Sequence, residues 1–117
     1  MPNDNPKIIF LTCPRGDTFA KHIGIKTKIN GQIEDYEFQP GDVLKFGLSK
    51  SYKHLPDYEL IKEKNIPTET CVLMLSKEET DQLKYGTYNY DIEFTRAEDG
   101  YRKTLIQGEF EITKESV

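Results

Sequence analysis

Residues 83–94, LKYGTYNYDIEF, decide the fold. A large apolar or aromatic residue stands at every second position, Tyr88, Tyr90, Ile92 and Phe94, alternating with Thr87, Asn89, Asp91 and Glu93. Successive side chains of a strand point to opposite faces, so this period of two predicts a strand whose aromatic stripe is buried. The stripe is then scaffold. Function is left to the polar face, the loops and the unpaired strand edges.

The same rhythm continues on both sides. IIFLT (8–12) reads as an opening strand and FAKHIGIKTKI (19–29) as a second, with Phe19, Lys21, Ile23 and Ile25 on one side. Asn30-Gly31 is a type I′ hairpin signal, because both central residues of that turn need positive φ. A two-residue loop sets Ile25 opposite Tyr36 and Ile23 opposite Phe38, pairing apolar with apolar. QPGD (39–42) is a turn, and VLKFGLS (43–49) aligns Leu44, Phe46 and Leu48. Residues 50–70 are polar and lysine-rich, with a weak strand near 58–63. CVLMLS (71–76) is apolar on both faces and predicts a strand covered on both sides or a tight crossing.

The local grammar then changes. Ser76 followed by Glu79 is an S-x-x-E capping box, and the acidic first turn suits the helix dipole, so one short helix is expected near 77–84. After the stripe, Asp99-Gly100 turns the chain back into YRKTLI, and Gly108 marks a bulge or kink before EFEIT. About eight short strands and one helix predict an all-β chain, an antiparallel β-sandwich forming a single domain over residues 1–117, with an all-β barrel as the alternative.

Charge narrows the function classes. Sixteen basic against twenty acidic residues give a net charge of −4, which argues against a general binder of nucleic acid or of anionic membranes. The longest apolar run, IIFLTC, is too short to span a bilayer. MPNDNPK has neither the basic nor the apolar segment of an export signal, so synthesis in a cytoplasm is expected. Cys13 and Cys71 read as small buried hydrophobes kept reduced.

No residue pattern declares chemistry. His22 and His54 have no serine, cysteine or second histidine at catalytic or metal spacing, and alternation turns His22 away from Ile23, toward solvent. Asp91 with Glu93, and Glu109 with Glu111, are alternate acids that read as a solvated sheet face. Arg15-Gly16-Asp17 spells an adhesion tripeptide but reads as a turn before a strand. No phosphate loop or calcium loop is present, so no cofactor, metal or small-molecule ligand is expected and the chain reads as non-enzymatic. Tyr52, Tyr58 and Tyr101 lie off the core stripes and are the candidate interface residues, since loop tyrosines suit protein contacts or sugar stacking.

Two features carry a resemblance. Gly86-x-Tyr88-x-Tyr90 after a short helical crossover is similar to the tyrosine corner of immunoglobulin-like sandwiches, with Tyr88 as the corner and Tyr90 where many such domains place a cysteine. The longer string LSKEETDQLKYGTYNYDIEFTRAEDGYRKTLIQGEFEI resembles the C-terminal half of the phage baseplate upper-protein N-terminal domain family, and GDTF (16–19) resembles its opening. The resemblance implies an immunoglobulin-like domain made in a bacterial host and carried in a virion, within a tail or baseplate. Its partners would be other tail proteins or further copies of itself, and it brings no catalytic residues. A carbohydrate- or cell-surface-binding sandwich is the alternative. Asn30, Gly31, Gly86 and Tyr88 are the residues expected to hold the scaffold.

Overall fold

A computed structural model describes residues 7–24, 26–29, 31–51, 56 and 59–114, with the backbone alone at 26–29 and 33–35. In chain order the elements are β1 (Lys7–Ile8), β2 (Leu11–Pro14), β3 (Phe19–His22), β4 (Lys26–Ile29), β5 (Gln32–Asp35), β6 (Val43–Ser49), β7 (Leu60–Ile66), β8 (Val72–Leu75), α1 (Lys77–Asp81), β9 (Gly86–Thr95) and β10 (Arg102–Thr113). The described chain is all-β apart from one short helix.

The largest sheet runs β1-β10-β9-β6-β7, with β2 also on β10; β3 and β8 form a second sheet, and β4 and β5 a third. The β3–β8 pair packs on the inner face of the large sheet. The Phe19 ring lies 5.0 Å from that of Phe110, and Leu73 and Leu75 join one core with Leu44, Phe46, Leu48, Ile106 and Ile112. The whole stripe Tyr88, Tyr90, Ile92, Phe94 is buried there.

The expected all-antiparallel pairing needs correction. Strands β1 and β2 run parallel to β10, so the large sheet is mixed. Tight hairpins force antiparallel neighbours, but the first and last strands of a chain share no hairpin and are free to pair either way. The single opening strand is also two, interrupted at Ile9 and Phe10 while its register on β10 continues. A β carbon on Gly108 would collide with the Ile9 carbonyl oxygen, and the Ile9 N–H donates to Gln107 at 3.0 Å. Gly108 is therefore a site of close backbone approach. It sits in register opposite Tyr90, and the irregularity of β10 falls between Thr104 and Ile106 instead.

The stretch read as one strand over 19–29 is likewise divided. Strand β3 ends at His22, where the N–H of buried Ile23 turns to the carbonyl of Cys71 at 2.7 Å, and β4 starts afresh in another sheet. The β4–β5 ladder runs from Lys26↔Asp35 to Ile29↔Gln32, the register of a two-residue loop, and Gly31 has φ +81°. Asn30 and Ile25 lie outside the described residues. The polar strand extends over Leu60–Ile66, longer than expected. Strand β8 is covered on one face only, since Met74 is 52% exposed.

The α1 crossover is built as its sequence predicts. Ser76 Oγ accepts from the Glu79 N–H at 3.1 Å while Glu79 Oε1 accepts from the Ser76 N–H at 2.9 Å, closing the capping box. The Tyr88 hydroxyl donates to the carbonyl of Lys84, four residues upstream, at 2.9 Å. Gly86, with φ +137°, turns the chain between them into β9.

Tyr88→Phe removes only that hydrogen bond and should lower stability by about 0.5–1.5 kcal/mol in urea melts, the net worth of one such bond. Gly108→Ala should cost more, roughly 2–4 kcal/mol, because the added methyl expels Ile9 from its seat. Gly31→Ala, with nothing within 4 Å of the new atom, serves as the control; an equal loss at both glycines would refute the close-approach role of Gly108.

Candidate functional site

Of the expected interface residues, Tyr101 alone is among the described ones. Tyr52 and Tyr58 lie outside the described residues, as does His54. Tyr101 is exposed in the β9–β10 turn, where the Arg96 guanidinium sits 5.0 Å over its ring and Arg96 holds Asp99 at 2.7 Å. His22 is exposed on β3, as alternation predicts. The acids of the outer face meet bases: Glu93 lies 3.8 Å from Arg102, and Lys45 lies 3.9 Å from Glu63. Cys13 and Cys71 are free thiols, both pushed up in pKa by burial.

The adhesion tripeptide is tied to the helix rather than presented. Arg15 donates from Nε to the Leu83 carbonyl at 2.9 Å and lies 3.6 Å from Asp81. Thr80, fully buried, accepts from the Gly16 N–H at 3.0 Å and donates to the Asp17 carbonyl at 2.7 Å. These contacts pin the β2–β3 turn to α1. Thr80 passed unnoticed in the sequence because a threonine inside KEETD looks like an ordinary surface position of a helix.

What the fold presents is edges. Strand β7 closes one side of the large sheet, and its Lys62 and Lys64 pair with Leu48 and Phe46 of β6, so both lysines share a face with core residues. Inward-facing charge on an edge strand discourages a foreign strand from adding there. Glu79 makes the arrangement tolerable, with Oε1 2.6 Å from Lys64 Nζ and Oε2 2.9 Å from Lys62 Nζ. Burial alone would raise the Glu79 pKa. The hydrogen bonds from Lys64, the Ser76 N–H and Lys62 outweigh burial and bring it from 4.5 to about 2. Beside this cluster a groove of about 450 Å³ runs between β7 and β8, lined by Lys64, Asn65, Pro67, Val72 and Met74.

The opposite edge differs in chemistry. Strands β1 and β2 form the outer side of the large sheet, and there Ile8 is 70% and Phe10 56% exposed. Two large apolar side chains two residues apart thus stand exposed at a sheet edge, a combination that proteins commonly protect or cover. The signal was present in IIFLTC, where Ile8 and Phe10 alternate with the buried Leu11 and Cys13 and share the exposed face of Thr12, but an unbroken apolar run hides that alternation.

A second buried carboxylate is structural. Asp42 accepts from the N–H groups of Gln39 and Ala97, both at 2.8 Å, and from the Tyr36 hydroxyl at 2.9 Å. Burial opposes its ionisation, but these donors and Arg96 lower its pKa. It binds the 39–42 turn to the β9–β10 turn.

Glu79→Gln keeps the capping box, which accepts glutamine, and removes the charge facing two lysines. The carboxylate of Glu79 stabilises the fold fully above about pH 4.5, its ordinary value, and that stabilisation is lost as pH falls toward about 2. The substitution should therefore cost on the order of 2 kcal/mol at pH 7, allowing for partial solvent screening. The two proteins should converge in urea midpoint as pH drops through that window; parallel curves would show that Glu79 is not the group responsible.

No protein-family model and no curated protein matches the chain.

Proposed function

We propose that this chain is a non-enzymatic structural component of a phage or prophage virion, of tail or baseplate type, that works through protein–protein contacts. The observation that carries the reading is the apolar outer edge, Ile8 and Phe10 exposed on the unpaired side of a six-stranded sheet whose aromatic stripe is committed to the core. Such an edge suits docking onto another protein.

The finer fold belongs to the same proposal. In an immunoglobulin-like assignment β10, β9, β6 and β7 take the places of strands G, F, C and C′, faced by β3 and β8 as B and E, with α1 crossing from E to F. Tyr88 then stands near the start of strand F with its hydroxyl on upstream backbone, as a tyrosine corner requires. Two features depart from that plan: the first strand joins β10 rather than β3, and the β4–β5 pair is inserted between B and C. The resemblance of residues 75–112 to the baseplate upper-protein family supplies the virion context.

The test is co-expression with the products of neighbouring genes, followed by size exclusion with mass determination. A complex with one neighbour, weakened at least about tenfold by Phe10→Asp at the docking edge, is expected. A protein that stays monomeric with every neighbour and binds a defined glycan instead would favour a carbohydrate-binding sandwich.

A further inference from the structure

The β4–β5 ribbon stands apart from both layers of the core. Among the described residues β4 pairs only with β5 and β5 only with β4, so each strand has one edge without a partner. The base of the ribbon is fixed. Ile23 before it is 1% exposed, and Tyr36 after it packs 5.3 Å from the Phe94 ring and donates to Asp42. A two-stranded ribbon alone is marginal in water, and three or more strands are needed for independent stability. This ribbon therefore has a defined root, two open edges and too few strands.

Its charge says what completes it. Strand β4, KTKI, carries Lys26 and Lys28 and no acid; β5, QIED, carries Glu34 and Asp35 and no base. One edge of the ribbon is thus a basic strand and the other an acidic strand. Like charges directly across a strand pair destabilise it and opposite charges stabilise it. Pairing of β4 with β4, or of β5 with β5, in a two-fold dimer sets like against like. Pairing of β4 in one copy with β5 in the next sets opposites together, and copies in the same orientation then continue the antiparallel order of the ribbon.

We infer that the β4–β5 ribbon is a self-assembly element whose basic strand accepts the acidic strand of a second copy of this chain. The contact is head-to-tail, so each copy uses both edges and the series closes into a ring or extends as a filament; it does not stop at a dimer. This deepens the assembly reading above by naming one partner, and it uses a surface separate from Ile8 and Phe10. Each contact is small and salt-screened, and many contacts engaged together make the assembly.

The test is charge exchange, read by sedimentation velocity of the full chain across a concentration series at low and high salt. The wild type is expected to form species larger than a dimer at low salt that dissociate as salt rises. The pair K26E and K28E makes both strands acidic, and the pair E34K and D35K makes both basic. Each should raise the concentration for half-assembly at least about tenfold. An equimolar mixture of the two variants should regain assembly, and so should the chain carrying all four changes. Recovery on mixing excludes misfolding as the cause of the loss. A wild type that remains monomeric, one that stops at a dimer, or single variants that assemble like the wild type would each overturn the inference. Retained co-elution of either variant with a neighbouring gene product would leave docking through the Ile8 and Phe10 edge standing, so the two readings fail separately.

Discussion

One carboxylate, Glu79, holds the junction on which both layers depend. Helix α1 has five residues, far below the length at which a helix persists by itself in water. It exists because other elements supply its hydrogen bonds. Glu79 takes the Ser76 N–H, Lys64 and Lys62, so the same side chain starts the helix and seats the edge strand β7. The next residue, Thr80, takes Gly16 and Asp17, which brings in the β2–β3 turn. Arg15 reaches the Leu83 carbonyl, and Tyr88 reaches that of Lys84. Three segments, β7, the β2–β3 turn and β9, are thus tied to one turn of helix and the residues just after it.

The consequence is an asymmetry between the sheet edges. At β7 the inward lysines give protection only while Glu79 neutralises them, so the defence of that edge and the capping of the helix are one interaction. At β1 and β2 the protection is weaker. The interruption at Ile9 and Phe10 shortens the run available to a foreign strand, yet Ile8 and Phe10 remain outside. The two strands of the β4–β5 ribbon differ in sign of charge.

Local signals were legible in the sequence wherever a short-range rule decides the structure. The period of two in residues 83–94, the capping box at Ser76 and Glu79 and the register set by residues 30 and 31 all depend on neighbours a few positions apart. The missed features are set by partners far along the chain. The parallel seat of β1 and β2 on β10 depends on space over Gly108, and a glycine in a strand signals a bulge and a close approach equally. The break after His22 depends on the carbonyl of Cys71, nearly fifty residues on. The same limit applies to the candidate surface. Tyr101 was legible as exposed, because turn residues are, whereas Ile8 and Phe10 looked like core. The lysines of β7 stood in a polar stretch with only a weak strand signal, and register places them beside Phe46 and Leu48.

The aromatic stripe and the glycine of the return strand are parts of one device. Tyr90 is 3% exposed, and burial pushes its pKa up to about 12. A buried phenol needs a partner for its proton, and Tyr90 donates to the Ile9 carbonyl at 2.7 Å. Ile9 comes within reach because the residue opposite Tyr90 is Gly108, which has no side chain to hold the first strand away. A phenylalanine at position 90 would fill the core but leave that carbonyl buried with one partner fewer. The hydroxyl therefore helps hold Ile9 against the sheet over Gly108. With Ile9 turned inward, strand alternation puts Ile8 and Phe10 on the outer face, opposite Leu11 and Cys13. The side chains that look most like pure scaffold thus set the position of the surface on which the proposed contacts depend.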